Sequence, residues 1–248
     1  MAIHYKEYGN KEGPLLLFLH GGGVGGWMWD KQVAYFTDYH CLVLTLQGHG
    51  ERYGESSFSI KGNALEIIEL IKEQENGRQV NIIGFSIGAQ IALEILSLAP
   101  ELVQSAVINS ALVLPMKMMH PLIASSIKLT FPLIKNRRFS SIQAKQLYID
   151  DRYLEQYYED SVKVSIYTLI EVLQENMAYE LPSNIINTTA RILVTVGEKE
   201  KRVMRKSAMM IAASHPACSC IIIPQVGHGF SLAQPERFNQ LVGEWLKG

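Results

Sequence analysis

The sequence predicts an α/β fold: a mostly parallel β-sheet flanked by helices, with a helical insertion past its middle. Three observations carry that expectation. Short, continuous apolar runs such as Leu15-Leu16-Leu17-Phe18-Leu19 and Val80 to Phe85 have the character of strands covered on both faces. Segments of helical periodicity alternate with them, and strand–helix–strand units bring successive strands parallel with helices on both faces. The alternation then lapses from Ala111 to Pro182, a stretch without a clear buried strand, broken by Pro115, Pro121, Pro132 and the Asn136-Arg137-Arg138 cluster. Residues 1–110 and 183–248 are therefore expected to form the core. Residues 111–182 are expected to form a helical cap over the strand ends, where such sheets keep their ligands.

In chain order, Ile3 to Tyr8 alternates as an edge strand, and Gly9-Asn10 with Glu12-Gly13-Pro14 turns into the first buried strand, Leu15 to Leu19. That strand ends in His20-Gly21-Gly22-Gly23. A helical segment from Trp27 to Phe36 leads to the strand Cys41 to Leu44, which ends in a second glycine turn, Gln47-Gly48-His49-Gly50. Ala64 to Lys72 has helical periodicity, stopped by Asn76-Gly77. The strand Val80 to Phe85 follows, then a helix ending near Ala99-Pro100 and a strand from Val103 to Ile108. After the insertion come strands Arg191 to Gly197 and Cys218 to Ile223. The last helix, Glu236 to Leu246, gathers Phe238, Leu241, Val242 and Trp245 on one side.

Composition narrows the function classes. A chain of 248 residues with 48% hydrophobic residues can bury a substantial core. The formal net charge of -1 and the lack of a basic block give no nucleic-acid surface. No run is long and apolar enough for a membrane span, and the N-terminus lacks the apolar centre of a signal peptide. The three cysteines, Cys41, Cys218 and Cys220, lie in strand-like segments and are expected to be reduced packing residues of a cytoplasmic protein. No metal site is expected, since no histidine or second cysteine pair stands at ligand spacing.

The chemistry centres on Gly84-Phe85-Ser86-Ile87-Gly88, a tight turn between an apolar strand and a helix. That is the context of a nucleophile elbow. Glycines two residues either side of Ser86 avoid collisions with the neighbouring strand and helix, so the backbone can turn sharply and hold Oγ out at the sheet edge. Acyl transfer also needs a base, an acid to orient it and donors for the oxyanion. Of seven histidines, His228 is the candidate base, directly after the Ile221-Ile222-Ile223 strand and ahead of the last helix. His20, His40 and His49 read as turn or strand-end residues, and His4, His120 and His215 fall in segments expected to be exposed. The acid is assigned to Glu200, in the loop after Gly197, with Glu198 as its neighbour in the same loop.

Taken together, His20-Gly21-Gly22-Gly23, Gly84-Phe85-Ser86-Ile87-Gly88, Gly197-Glu198-Lys199-Glu200 and Gly227-His228 resemble those of an α/β-hydrolase fold enzyme with a helical cap. The resemblance runs nearly end to end. It implies a mostly parallel sheet of the eight-stranded type, the chain order serine, acid, histidine, and an acid three residues beyond the strand-ending glycine, at Glu200. It also implies an oxyanion hole of backbone N–H groups from Ile87 and from Gly22, with Gly23 as the alternative register. Two departures stand out. Thr45-Leu46-Gln47-Gly48-His49-Gly50 replaces the common Asp-x-Arg-Gly-x-Gly, and a glutamate replaces the usual aspartate.

The expected function is that of a serine hydrolase acting on a carboxylic ester, without cofactor, on a small-molecule acyl substrate. The fold alone does not choose the bond. An aminopeptidase would draw on cap acids such as Glu155, Glu159, Asp160, Glu171 and Glu175 to hold an amine, and a carbon-carbon hydrolase is a further alternative. A small-molecule sensor acting through a protein partner is the alternative from another class. The soft apolar cap residues Met116, Met118, Met119, Phe131 and Tyr148 suit contact with an acyl or alkyl group, with a place in the core as the alternative.

Overall fold

In the computed structural model, which describes residues 3–55, 57–116 and 119–247, every apolar run singled out above is a strand. The strands are β1 (His4–Gly9), β2 (Leu15–Leu19), β3 (His40–Thr45), β4 (Val80–Phe85), β5 (Ser105–Asn109), β6 (Arg191–Gly197) and β7 (Cys218–Ile223). They form one sheet in the order β1-β3-β2-β4-β5-β6-β7. Only β1 is antiparallel to its neighbour; the rest are parallel. The described residues thus form seven strands, where the resemblance implied a sheet of the eight-stranded type.

The helices are α1 (Asp30–Val33), α2 (Ile60–Gln74), α3 (Ile87–Leu98), α4 (His120–Thr130), α5 (Arg137–Gln146), α6 (Leu154–Lys163), α7 (Ile166–Ala178), α8 (Arg202–Ser214), α9 (Phe230–Ala233) and α10 (Pro235–Lys247). Side chains alternate across a strand, so β2 feeds two cores. Leu15, Leu17 and Leu19 pack with residues of α2, α3 and α8, whereas Leu16 and Phe18 pack with Trp29, Phe36, Phe238 and Val242 on the other face. The Phe18 and Trp29 rings lie 5.3 Å apart. The central strands β2, β3, β4 and β5 are buried along their whole length, as continuous apolar runs require.

Two expectations need correction here. Helix α2 begins well before Ala64, because Ser59 caps it: its Oγ accepts the Gly62 N–H at 3.1 Å. The cysteines are all free, but only Cys41 is buried; β7 is an edge strand, and Cys220 on it is exposed rather than packed.

Between β5 and β6 the described residues contain helices α4 to α7 and no strand. Helix α7 is tied to the core by charge-assisted bonds. Glu171 Oε2 accepts the Phe58 N–H at 3.0 Å and Glu175 Oε2 accepts the Ile60 N–H at 2.8 Å. The latter two groups precede or open α2, where helical N–H donors lack intrahelical partners. From the core side, Gln90 Nε2 donates to the carbonyls of Leu112 (2.6 Å) and Asn176 (3.0 Å). No helix among the described residues is long and apolar enough to cross a membrane.

Candidate active site

Ser86 sits between β4 and α3 with φ 55° and ψ −114°, a left-handed backbone that costs on the order of 1–3 kcal/mol and must be held by its surroundings. Its N–H donates to the Asn109 carbonyl at 2.9 Å, and its carbonyl accepts from Ala89 (3.0 Å) and Gln90 (3.2 Å). The flanking glycines are required by close approach. A Cβ on Gly84 would stand 2.5 Å from the Gly88 carbonyl oxygen and 2.7 Å from Ala89 Cα. One on Gly88 would meet the carbonyl oxygens of Leu19 and His20, the latter at 2.6 Å. Neither neighbour is a movable side chain, so the turn closes only with glycine at both positions.

The structure brings Ser86, His228 and Glu200 into one hydrogen-bonded line. The carboxylate can only accept, so His228 Nδ1–H donates to Glu200 Oε2 at 2.8 Å. That leaves Nε2 to accept from the Ser86 hydroxyl at 3.1 Å. The Glu200 side chain is only 1% exposed. Its other oxygen, Oε1, accepts from Ser110 Oγ (2.7 Å) and from the Gly197 N–H (2.8 Å). A buried carboxylate needs such donors to remain charged. Glu198 is exposed and points elsewhere, accepting the Gln225 N–H at 2.9 Å.

Three contributors escaped the sequence reading. Ser110, just after β5, belongs to no motif in the sequence, yet its hydroxyl braces Glu200. Tyr148, expected as an acyl contact, accepts the Gly227 N–H at 2.9 Å through Oη and so anchors the histidine loop. Glu198 anchors the same loop at Gln225, whose φ is 65°. No local pattern marks these pairs, since each joins segments far apart in sequence.

Two further histidines shape the loops beside the serine. His20 Nδ1–H donates to the Gly21 carbonyl (2.8 Å) and Nε2 accepts the Leu46 N–H (3.1 Å). His49 repeats the scheme: Nδ1–H donates to the Gln47 carbonyl (2.9 Å) and Nε2 accepts the Gly23 N–H (3.2 Å). The two rings meet edge to face at 5.0 Å. Burial, with the neighbouring His49 adding to it, pushes His20 down to about 3. Burial likewise holds His49 below the usual histidine value. Both are neutral hydrogen-bond bridges between the loops after β2 and β3. His215, expected to be exposed, is buried and bonded to the Thr188 carbonyl at 2.9 Å. The side chain of His120 lies outside the described residues.

Gly22 of the loop after β2 lies beside Ile87, the residue that follows the serine. Ile87 opens α3, and a Cβ on Gly22 would lie 3.8 Å from Ile87 Cγ2. A cavity of about 400 Å³ opens over Gly22, His49 and Ser86. Its walls come from α4 to α7 and the turns between them, chiefly Ile127, Ile134, Phe139, Leu147, Leu169 and Leu173. None of the described cap residues expected to meet the acyl group lines it. Met116, Phe131 and Tyr148 are absent from the lining, Met119 is 44% exposed, and Met118 lies outside the described residues. The cap acids are engaged or solvated: Glu155 pairs with Arg137 at 2.8 Å, Asp160 accepts Trp27 Nε1–H at 2.8 Å, Glu171 and Glu175 face α2, and Glu159 is exposed. Among the described residues no cluster of histidine, cysteine, aspartate and glutamate is placed to hold a metal ion.

Comparison with known proteins agrees with this architecture. An esterase of Exiguobacterium antarcticum superposes with a TM-score of 0.82 at 18% identity, covering 99% of this chain and 96% of that one. A hydrolase of Acinetobacter baylyi named for (E)-2-((N-methylformamido)methylene)succinate is 25% identical over 99% of this chain and 94% of its own length. An AB hydrolase superfamily protein of Gibberella zeae is 30% identical over 110 residues, a match spanning 44% of this chain and 39% of that protein. The sequence model of the alpha/beta hydrolase family matches residues 16–241. With that match over most of its length, and the fold to go with it, this chain belongs to the alpha/beta hydrolase family.

Proposed function

We propose that the protein is a serine hydrolase that cleaves carboxylic esters through an acyl-enzyme on Ser86. The observation that carries the reading is the line Ser86 Oγ–His228 Nε2 (3.1 Å) and His228 Nδ1–Glu200 Oε2 (2.8 Å) beside the apolar cavity. Ser86 Oγ attacks the acyl carbon while His228 Nε2 takes its proton. Glu200 keeps the imidazole in the tautomer that presents Nε2 and stabilises the imidazolium. The N–H groups of Ile87 and Gly22 receive the oxyanion; the Gly23 N–H is already given to His49. Collapse breaks the carbon–oxygen bond, and the His228 proton leaves with the alcohol. Water, deprotonated by the same imidazole, then releases the acid and restores Ser86.

The helices of residues 111–182 act as a cap that sets substrate choice, because they supply most of the cavity wall. The lining includes no acid among the described residues, so the site suits a neutral acyl group better than an amine-bearing substrate. Turnover of p-nitrophenyl esters from acetyl to dodecanoyl, alongside an aminoacyl amide, tests this. Ester turnover well above amide turnover is expected; amide cleavage at an equal rate, or no ester turnover, overturns it.

A further inference from the structure

The stretch from Ala111 to Ile149 holds six cationic residues, Lys117, Lys128, Lys135, Arg137, Arg138 and Lys145, and no aspartate or glutamate, in a chain of net charge -1. Lys117 lies outside the described residues, and Arg137 is paired with Glu155 and stacked on Tyr158. The other four are exposed and enter no ion pair among the described residues. The same segment exposes large aliphatic side chains: Leu129 is 82% exposed, Leu122 59%, Ile142 58% and Leu133 43%. Leu122 and Leu129, seven residues apart on α4, share one face of that helix. Ile127 and Thr130 of α4 line the cavity instead.

A segment that exposes both aliphatic side chains and unpaired cations calls for a partner that is both anionic and apolar. A second copy of this face would oppose cation to cation, which is costly. An acidic protein would match the charge, but α4 presents projecting leucines rather than a groove for a partner's side chains. An anionic bilayer meets both demands: headgroups take the lysines and arginines, and the leucines enter the acyl boundary beneath. We propose that the outer face of α4, the turn after it and α5 docks the protein on anionic lipid bilayers. Docked this way, the cavity behind α4 would stand close to the lipid surface. The proposal concerns binding and does not depend on the catalytic reading.

Flotation of the full-length protein with vesicles tests it. Vesicles of phosphatidylcholine with about one-third phosphatidylglycerol should bind at least ~10-fold more protein than phosphatidylcholine alone. Lys128→Gln with Lys135→Gln should weaken binding by about fivefold per cation. Leu122→Ser with Leu129→Ser should weaken it at least ~10-fold at unchanged charge, with an unaltered melting temperature showing that the variant folds. Should that variant fail to fold, the lipid contrast and the lysine variant decide the matter alone. Equal binding to both vesicles, binding indifferent to the leucines, or retention on an acidic protein but not on anionic vesicles overturns the proposal. So does a dimer in solution that the leucine variant dissociates.

Discussion

The N–H of Gly23 donates to His49 Nε2 at 3.2 Å, which ties the glycine loop after β2 to the turn after β3. On the proposed mechanism, the bond engages the Gly23 N–H and leaves that of Gly22, also in the cavity lining, for the oxyanion. His49→Ala should lower kcat for ester hydrolysis roughly 10-fold, a fraction of the ~10²–10³ lost when a donor itself is removed. KM should change less, and His49→Gln, which keeps an acceptor, should recover part of the loss. Unchanged kcat in His49→Ala would show that the loop holds its shape unaided.

Acid should destabilise the fold through His20. The unfolded chain takes up this proton near 6.5, the folded chain only at about 3. Between those values the unfolded state binds more protons, so stability falls as pH falls, by up to ~1.4 kcal/mol per pH unit from this group. Above the upper value the group contributes no slope. Urea unfolding from pH 7 down to pH 4 should show the decline. His20→Asn, which cannot gain a proton, should be less stable at pH 7 but show a shallower slope.

Glu200→Gln should reduce kcat by about 10³- to 10⁴-fold, since it removes the charge that orients and stabilises the imidazole. Glu198→Gln retains an acceptor for the Gln225 N–H and should cost only a few-fold. Steady-state kinetics of the two purified variants separates them. Equal, small losses would place the orienting acid elsewhere.

Acyl preference should follow the cavity wall. Leu173→Phe or Ile127→Phe should shift the best p-nitrophenyl ester toward shorter chains while acetyl turnover persists. Met119→Ala, at an exposed position outside the wall, should leave the profile unchanged. The kcat/KM series across chain lengths reads the shift directly.

The sheet was legible because fully buried strands leave continuous apolar runs, and the elbow because close approach leaves glycines at fixed offsets from Ser86. The position of His228 followed from its place after β7, and that of Glu200 from the loop after β6 with the register the family resemblance implies. The structure sets the two within hydrogen-bonding distance. The cap was less legible. Short amphipathic helices reveal an apolar face but not whether it turns to a cavity, to the core or outward. Thus side-chain softness points to Met119 and Phe131, whereas Ile127 and Leu173 line the wall. The braces Ser110–Glu200 and Tyr148–Gly227 join segments 90 and 79 residues apart, and no local period encodes them. The start of α2 was within reach, since Ser59 ahead of an apolar-periodic segment is a cap signal.

The central claim is that Ser86 is the nucleophile, and intact-protein mass spectrometry after fluorophosphonate treatment tests it most directly. A single adduct mapping to Ser86 is predicted, absent from a folded Ser86→Ala variant whose ester turnover falls by orders of magnitude, on the scale of ~10⁶. An adduct on another residue, or undiminished labelling of Ser86→Ala, would contradict the account.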